Sequence, residues 1–301
     1  MIEQRLIGSA PDFVRTLQAA RLVAPTDAAV LILGEPGVGR QTLAREIHGL
    51  STRRMRPFVV ASCATFPADF FVRAGEAAVP ALRAAAGGTL YLDEVADLDE
   101  GAQAQLLGYL ETGRVGELRE EPFSLRIIAS TSADLPERVA QRRFRADLFH
   151  RLAVVPLELP PLRERVADVP LLLRHHAREI ARQHGHRQVS FGIAALNALK
   201  AYGWPGNVRE LRNLCERLSI LLPGRAIAPE NLPAEMRLPA RDAATSGFRL
   251  PAGGIDLNLL EADVIRQALQ LAGGNRSRAA RLLGISRDTL LYRIQKHGIA
   301  A

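Results

Sequence analysis

One stretch of the sequence decides the fold: Gly34-Glu35-Pro36-Gly37-Val38-Gly39-Arg40-Gln41-Thr42, which follows the apolar run 30–33 and precedes a helical pattern from Leu43. A glycine-rich loop between a strand and a helix can direct backbone N–H groups and the helix N-terminus towards phosphates. The spacing matches G-x-x-x-x-G-K-[ST] at both glycines, with arginine at the lysine position and Gln41 at the Ser/Thr position. The stretch therefore predicts a loop that binds the phosphates of a ligand.

Arg40 is expected to change how this loop works. It keeps the positive charge of a lysine, but its planar guanidinium is broader than a compact ammonium and displaces phosphates in a tight loop. We therefore expect nucleotide binding to survive better than hydrolysis. Two other interpretations stay open: a dinucleotide loop, which lacks its third glycine because Thr42 stands there, and a glycine-rich turn that binds nothing.

Short apolar runs alternate with helical patterns through the first half of the chain. The runs 30–33, 58–61, 89–92 and 125–129 have the length of buried strands, which predicts a parallel α/β sheet. After Pro160-Pro161 the strand-like runs stop, and the amphipathic stretches 171–183, 193–201 and 208–221 predict helices. We expect an α/β nucleotide-binding core over residues 1–166, a helical subdomain over 167–236, a proline- and glycine-rich linker over 237–256, and a helical domain over 257–301.

Two adjacent carboxylates, Asp93 and Glu94, end the third apolar run. Ligands of parallel sheets bind at the carboxyl ends of the strands. Asp93 is therefore a candidate Mg²⁺ ligand, and Glu94 a candidate for orienting or deprotonating the attacking water. The alternative is a pair of exposed acids in a turn.

The chain of 301 residues carries a net charge of +7 and has a pI of about 10.2, which favours a polyanionic partner. Cys63 and Cys215 are too far apart in sequence to form a Cys-x-x-Cys or zinc motif. No apolar signal or membrane-spanning run is present, so we expect a cytoplasmic protein without a membrane partner. The histidines His175, His176, His184 and His186 show no matching acid or metal-ligand partner, and we interpret them as surface residues.

The segment 273–294 has the pattern of a helix-turn-helix. Ala279, Ala280, Leu282 and Leu283 lie on one helical face, the glycine at 284 permits a turn, and Ser286 is a suitable N-cap for a second helix. Arginines and one lysine outnumber a lone acid, Asp288, which suits contacts with DNA phosphates. The candidate DNA-binding residues are Arg276, Ser277, Arg278, Ser286, Arg287, Asp288, Thr289, Tyr292, Arg293 and Lys296.

Of these residues, Arg287, Asp288 and Thr289 stand near the start of the second helix, where side chains reach base edges in the major groove of double-stranded DNA. The alternative is a helical hairpin with a solvated basic face.

Five blocks together resemble the central AAA+ domain of bacterial enhancer-binding proteins, the sigma-54-dependent transcription activators. They are GEPGVG at 34–39, GGTLYLDE at 87–94, FRADLFHRL at 144–152, LPPLRER at 159–165 and WPGNVREL at 204–211. The C-terminal segment resembles the Fis-type helix-turn-helix of the same family, with Leu257, Leu260, Val264, Ile265 and Leu269 forming a preceding dimer helix. The resemblance implies an AAA+ P-loop sheet with a helical lid, followed by a small all-α DNA-binding domain.

The resemblance also assigns roles to single residues. Arg145 and Arg151 match the arginine-finger positions, which reach into the nucleotide site of a neighbouring subunit. Arg209 matches the lid sensor arginine, and Thr131 lies in the sensor strand. The implied ligand is ATP or ADP. The implied partners are further copies of this chain, from a dimer to a hexameric ring, and RNA polymerase.

The chain departs from the family pattern in several places. The family's Gly-Ala-Phe-Thr-Gly-Ala loop, which touches the sigma factor, is absent, because residues 67–83 run directly towards Gly87. Ser62 and Ser132 replace asparagines that relay and sense the γ-phosphate in the family, and arginine replaces the loop lysine. These changes predict slow or absent turnover, since each lost group would position charge or water in the transition state.

Two functions therefore remain for the chain. One is a DNA-binding regulator whose AAA+ module binds nucleotide and assembles, without acting through sigma-54. The other is an ATP-hydrolysing activator of sigma-54 RNA polymerase. We expect no sensory domain before Leu6, and we therefore expect control by expression level, a partner protein or a small ligand.

Overall fold

Five parallel strands form the main sheet of the computed structural model, which describes residues 6–65, 84–113, 124–237 and 256–299. In the order β2-β3-β4-β1-β5, the strands are β1 (Val30–Leu33), β2 (Phe58–Ser62), β3 (Thr89–Asp93), β4 (Arg126–Thr131) and β5 (Val155–Glu158). β1 pairs with both β4 and β5, so that Leu33 is in register with Thr131 and Glu158. The loop that follows β1 therefore lies at the same sheet edge as the segments that follow β3 and β4.

Both faces of this sheet are covered by helices. The helices of the core are α1 (Pro11–Val23), α2 (Arg40–Gly49), α3 (Glu100–Thr112), α4 (Leu135–Ala140) and α5 (Ala146–Leu152). Ile32 packs with Phe13 of α1 and Leu43 of α2 on one face, whereas Leu31 packs with Leu106 of α3 on the other. A parallel strand that is buried on both faces reads as a continuous apolar run, which explains why β1, β3 and β4 are visible in the sequence.

A helical subdomain follows the sheet. It contains α6 (Val169–His184), α7 (Ile193–Ala201) and α8 (Asn207–Leu221), and a two-stranded parallel sheet of β6 (Ser190–Phe191) and β7 (Ala226–Ile227). Its core surrounds Trp204, which is fully buried and donates a hydrogen bond of 2.8 Å from Nε1 to the backbone oxygen of Leu199. The three helices confirm the amphipathic stretches, but the expectation that strands stop after Pro161 is wrong, because two residues are too few to produce a strand pattern.

The chain divides into two compact units, Met1–Pro239 and Ala240–Ala301. The second unit contains α9 (Leu257–Leu271), α10 (Arg276–Leu282) and α11 (Arg287–Lys296) around a small core that includes Ile265, Ala279 and Leu290. Ser286 caps α11 by accepting a hydrogen bond from the backbone N–H of Thr289. Gly284 adopts a left-handed conformation with φ of 66° between α10 and α11.

One detail of the expected helix-turn-helix core is wrong. Ala279 and Ala280 are buried as expected, but Leu282 is 57% exposed, and only Leu283 of the two leucines packs against the core. Leu282 is the last residue of the short helix α10, so its side chain points away just before the chain turns at Gly284.

The architecture confirms the predicted fold class, an α/β parallel sheet with a helical lid followed by a small all-α domain. The expected short connection over residues 67–83 and most of the expected linker lie outside the described residues. Within the ranges that are described, no helix combines the length and the apolar character that crossing a bilayer requires.

Candidate functional site

A cleft of about 320 Å³ lies between the loop after β1 and the helical lid. Its floor contains the loop residues 37–42 together with Tyr91 and Asp93 of β3. Leu6 and Phe13 supply an apolar wall, and helices α6 and α8 close the opposite side, where Arg209 is placed. The volume lies within the range of about 300–1,000 Å³ that is typical of small-molecule sites.

Two glycines give the loop its shape. Gly37 and Gly39 have φ values of 82° and 111°, and Gly39 directly precedes α2. Successive backbone N–H groups in such a conformation form a concave anion-binding surface at the positive end of a helix. Gly37 also approaches the lid closely, because a Cβ at this position would lie 2.3 Å from the backbone oxygen of Gly206. A side chain at position 37 would therefore disturb the lid as well as the loop.

Arg40 points away from solvent and into the acidic edge of the sheet. The residue is only 8% exposed, and its Nη1 donates a hydrogen bond of 2.7 Å to the backbone oxygen of Gly34. Its Nη2 forms an ion pair with Glu94 and lies 3.7 Å from Asp93. The guanidinium thus occupies the space between the phosphate loop and both candidate catalytic acids.

Glu94 is held by Ser132 as well as by Arg40. The backbone N–H and hydroxyl of Ser132 donate hydrogen bonds of 2.9 to 3.1 Å to its carboxylate. Burial opposes ionisation of Glu94, but the Ser132 N–H and the guanidinium outweigh it and lower the pKa of this carboxyl below its ordinary value. The backbone of Glu94 has a left-handed φ of 56°, a conformation that is uncommon for a residue with a side chain.

Asp93 is less enclosed than Glu94. Its Oδ1 accepts hydrogen bonds from the hydroxyls of Tyr91, at 3.1 Å, and Ser130, at 2.9 Å. The side chain remains 38% exposed and lines the cleft. It therefore presents a carboxylate to the cleft with its orientation fixed by two neutral donors.

Glu35 belongs to a contact between loop and lid that we call the clasp, formed by Glu35, Arg163 and Asn207. Arg163 donates hydrogen bonds of 2.9 and 2.6 Å to the two oxygens of Glu35, and this contact lowers the pKa of the Glu35 carboxyl. The buried side chain of Asn207 donates to Glu35 and to the backbone oxygen of Pro36, both at 3.1 Å, and accepts from the N–H of Leu162. The clasp fixes the lid against the first turn of the loop.

The clasp was not predicted from the sequence. Arg163 and Asn207 stand in two of the blocks that carry the family resemblance, LPPLRER and WPGNVREL, but nothing in those blocks shows that they meet at Glu35. Arg209, the expected sensor residue, follows Asn207 in α8, lines the cleft and donates a backbone hydrogen bond of 3.3 Å to Gly37.

The other expected cofactor-binding residues lie at or near the same edge. Gly34 accepts from the arginine at position 40, Val38 is buried beneath the loop, and Gln41 and Thr42 line the cleft at the start of α2. Thr131 is buried at the end of β4, where its hydroxyl accepts a hydrogen bond of 3.0 Å from the N–H of Ala133.

The expected arginine fingers lie elsewhere on the surface of the first unit. Arg145 is exposed at the start of α5 and forms a two-bond pair with Asp147, at 3.0 and 2.8 Å, which raises the pKa of the arginine. Arg151 is exposed at the end of α5. Neither residue is among the described residues that line the cleft, so within one chain the two are not part of the nucleotide site.

The interpretation of the lid histidines needs a correction. His184 and His186 are exposed, as expected, but His175 and His176 are half-buried on α6 and line the cleft. Both also face an acid, Glu179, which the sequence analysis did not pair with them. Burial lowers the pKa of His176 to about 4, so this imidazole is neutral at neutral pH.

The expected DNA-binding residues are mostly exposed in the second unit. Arg276, Arg278 and Arg287 are accessible at the starts of α10 and α11, and Tyr292 is 68% exposed. Ser286 and Thr289 are engaged at the start of α11: Ser286 is the cap of this helix, and the hydroxyl of Thr289 lies 2.7 Å from that of Ser286.

Asp288 is not the only acid that bears on this basic surface. Glu261 of α9 lies 2.9 Å from Arg293, 3.5 Å from Lys296 and 2.7 Å from His297. The hydrogen bond from His297, with the charges of Arg293 and Lys296, lowers the pKa of Glu261. Two of the expected phosphate-binding cations are therefore partly neutralised by a residue about 30 positions earlier in the chain, which the sequence analysis missed.

Comparison with protein families agrees with this arrangement. The sequence matches the Sigma-54 interaction domain over residues 6–158, an AAA+ ATPase lid domain over 163–247, and a Fis-family bacterial regulatory protein domain over 257–297. The chain belongs to the sigma-54 interaction domain family. This assignment confirms the family resemblance drawn from the five sequence blocks.

Curated relatives of this sigma-54 interaction domain protein are transcriptional regulators. The chain is 39% identical to the transcriptional regulatory protein XylR of Pseudomonas putida over 320 residues, which covers 96% of this chain and 56% of XylR. It is 38% identical over 306 residues to ZraR of Salmonella typhimurium strain LT2, with 97% and 68% covered. The chain thus spans roughly half to two thirds of the length of these relatives.

Solved structures show a similar arrangement. NtrX from Brucella abortus in complex with ATP aligns with a TM-score of 0.71 and 34% sequence identity, covering 99% of this chain and 71% of NtrX. The ADP complex of NtrX gives the same score and identity over 98% of this chain and 69% of NtrX. A Thermotoga maritima RuvB mutant aligns with a TM-score of 0.53 at 17% identity, which shows a shared fold alone.

Proposed function

We propose that the chain is a DNA-binding transcription regulator whose AAA+ module binds ATP or ADP and assembles into homo-oligomers, with slow or absent hydrolysis. The proposal places the protein in the cytoplasm with double-stranded DNA and RNA polymerase as its partners. The family assignment and the naming of XylR and ZraR as transcriptional regulatory proteins support regulation as the role. The Fis-family match over residues 257–297 supports DNA binding.

Nucleotide binding is supported by the cleft itself. The loop combines two left-handed glycines with a helix N-terminus, and Arg209 supplies positive charge from the lid. The similarity to NtrX, a protein solved in complex with ATP and with ADP, extends over nearly the whole chain. The donors of the loop suit phosphates, and the apolar wall around Leu6 suits a base.

The acidic edge of the sheet also suits Mg²⁺, although Arg40 competes with the metal for Asp93. Asp93 offers the hard carboxylate oxygen that Mg²⁺ prefers, and a bound Mg²⁺ would neutralise charge on the β- and γ-phosphates. Arg40 lies 3.7 Å from the same carboxylate and already supplies one positive charge there. The metal must therefore bind beside a cation that lies close to its ligand.

The contact between Arg40 and Glu94 is the main observation in support of slow ATP hydrolysis. Hydrolysis requires a group that positions the attacking water. The Glu94 carboxylate, the candidate for this task, is already bound by the guanidinium and by Ser132. These donors occupy most of the acceptor sites of the carboxylate and place a positive charge beside it, so Glu94 orients and deprotonates water less effectively, which adds to the barrier of the chemical step.

The test is the rate of ATP hydrolysis in the Arg40→Lys variant of the full chain. A lysine carries the charge without the broad fork that spans the loop and the acid, so we expect kcat to rise at least ten-fold while nucleotide affinity changes less. Arg54→Lys, at an exposed position just beyond α2, is the matched control and should leave kcat unchanged. Unchanged hydrolysis and unchanged affinity in Arg40→Lys would show that our account of this arginine is wrong.

A second candidate function, ATP-driven activation of sigma-54 RNA polymerase, is favoured by the family match over residues 6–158. Against it stands the absence of the Gly-Ala-Phe-Thr-Gly-Ala sequence from the chain. Mapping the bound DNA across the genome separates the two. Sites that lie consistently upstream of sigma-54 promoters, with brisk ATPase activity, would support the activator, whereas sites at other promoters would support our proposal.

We further propose roles for the residues that geometry alone leaves unassigned. Arg145 and Arg151, which are exposed and remote from the cleft of their own chain, reach the nucleotide of a neighbouring copy. Arg287, Asp288 and Thr289 contact base edges, and the remaining basic residues of 276–296 contact phosphates. The domain boundaries near residues 166, 236 and 256 separate core, lid, linker and DNA-binding domain.

A further inference from the structure

Three side chains that no part of the proposed function uses come together on α6. They are His175, His176 and Glu179, and all three line the cleft. The Oε2 atom of Glu179 lies 3.7 Å from Nε2 of His175 and 3.6 Å from Nδ1 of His176. One potential ligand atom from each of the three residues lies within 4.8 Å of the other two, so the three residues are close enough to share one ion.

These separations are too long for hydrogen bonds, which for nitrogen and oxygen fall at about 2.7–3.2 Å. They are close to the spacing of neighbouring ligands around a tetrahedral ion, about 3.3 Å for metal–ligand distances of about 2.0–2.1 Å. Small side-chain rotations would therefore bring the three atoms to coordination distance. The helix positions i, i+1 and i+4 supply the residues without any rearrangement of the backbone.

One ligand atom lacks a partner. Nδ1 of His176 is buried, and no hydrogen bond to it exists among the described residues. Buried polar atoms are nearly always satisfied, so an unpaired ring nitrogen 3.6 Å from a carboxylate oxygen is a suitable position for a further group. A cation between Nδ1 and the Glu179 oxygen would satisfy both atoms.

We propose that His175, His176 and Glu179 bind a divalent transition-metal ion of the zinc class. Two imidazole nitrogens and one carboxylate oxygen suit Zn²⁺ and its neighbours in the first transition row, whereas Mg²⁺ and Ca²⁺ prefer oxygen ligands alone. Three protein ligands leave the fourth position for water or for a donor atom of a molecule in the cleft. The site is distinct from the Asp93 position and does not depend on whether ATP is hydrolysed.

The surroundings of the cluster moderate its affinity. Glu179 supplies one negative charge, and the positive charge of Arg212 on α8 acts on His176. Arg212 also lines the cleft, so the charge near a bound ion is not strongly negative. The ion is therefore expected to bind reversibly rather than to be a permanent part of the lid.

Metal titration of the full chain tests the proposal. Protein treated with a chelator and then dialysed is titrated with Co²⁺, followed by its visible spectrum, and with Zn²⁺ in competition with a chromophoric chelator. Excess Mg²⁺ is present to occupy sites built from oxygen alone. We expect one ion per chain, with a cobalt spectrum typical of nitrogen and oxygen ligands.

Three variants locate the ion. Glu179→Gln and His175→Gln change partly exposed side chains and should weaken Zn²⁺ binding at least ten-fold. His184→Gln, an exposed histidine at the end of the same helix, is the matched control and should bind as the wild type does. Thermal unfolding without metal should be similar for all four proteins, which separates loss of a ligand from loss of the fold.

Three results would overturn the proposal. They are the absence of binding at one ion per chain, equal Zn²⁺ affinity in the wild type and both cluster variants, and a thiolate-to-cobalt absorption band. The last result would place the ion at Cys63 or Cys215.

Discussion

The guanidinium of Arg40 has two anchors at once, the backbone oxygen of Gly34 and the carboxylate of Glu94. A lysine has one charged nitrogen at the end of a flexible stem and cannot make both contacts in this planar geometry. The consequence of an apparently conservative replacement is therefore a fixed link across the catalytic edge. The largest difference between this protein and the phosphate-loop motif that its sequence resembles therefore lies in a single residue.

Asn207 is the second residue whose side chain joins separate parts of the chain. It is fully buried, has a left-handed φ of 51°, and bonds to Glu35, Pro36 and Leu162. Asparagine tolerates this backbone conformation better than most residues with a side chain. Both the conformation and the hydrogen bonds therefore select asparagine here.

Asn207→Ala should lower the free energy of unfolding of the first unit by about 1–3 kcal/mol, because the buried N–H of Leu162 loses its acceptor. Denaturant unfolding followed by fluorescence measures this effect, since the single tryptophan, Trp204, lies in the lid core. Asn213→Ala, at an exposed position on the same helix, should change stability by less than about 0.5 kcal/mol. Equal stability of the wild type and Asn207→Ala would contradict the clasp.

Pairings of this kind could not be predicted from the sequence. Residue types and local spacing identified Arg40, Glu94 and Glu35 as site residues, but the partners lie 54 positions apart for the first two and 128 apart for Glu35 and Arg163. The cluster on α6 is different: His175, His176 and Glu179 are within five positions, and helical spacing alone could have placed them together.

Among the secondary-structure elements, three of the four strands visible in the sequence, β1, β3 and β4, are almost entirely buried. β2 lies at the edge of the sheet and is only partly buried, and it was visible because residues 58–61 are all apolar. β1 and β3 are continuous apolar runs, and their limits were predicted to within one residue. β5, the other edge strand, was missed because Pro156 and Glu158 interrupt its apolar pattern and only Leu157 is buried. The order of the strands in the sheet depends on crossovers between distant segments, so local sequence patterns could not predict it either.

The contact between α9 and α11 sets the charge of the candidate DNA-binding surface. Glu261→Gln should release Arg293 and Lys296, raise the affinity for duplex DNA several-fold, and make the slope of log K against log salt steeper by about 1 to 2. Binding measured by fluorescence anisotropy over a series of salt concentrations checks both quantities.

Asp263→Asn is the matched control for this measurement, because Asp263 lies on the same helix but pairs with Arg266, outside the candidate set. It removes the same formal charge and should leave the salt slope nearly unchanged. If the two variants behave alike, Glu261 acts only through net charge, and the local pairing has no part in DNA binding.

For the molecule as a whole, the exposed positions of Arg145 and Arg151 are relevant to the assembly of several copies of the chain. A cation that stabilises the transferred phosphoryl group must lie close to it, and neither arginine lines the cleft of its own chain. Under the proposed function a second copy supplies this group, so nucleotide chemistry depends on protein concentration.

Arg145→Ala should weaken nucleotide-dependent assembly and reduce any ATP turnover at least 100-fold. Sedimentation velocity with and without ATP measures assembly, and hydrolysis rates over a range of protein concentrations measure turnover. Arg143→Ala, at an exposed position two residues earlier, should preserve both. Turnover that is proportional to protein concentration in the wild type, and unaffected by Arg145→Ala, would contradict a role in a neighbouring site.

The approach of Gly37 to the backbone of Gly206 has a mechanical consequence. No room for a Cβ remains between the two main chains there, so a displacement of the loop at Gly37 towards the lid requires a displacement of Gly206 as well. Gly206 immediately precedes α8, so the start of this helix must follow any such change in the phosphate loop.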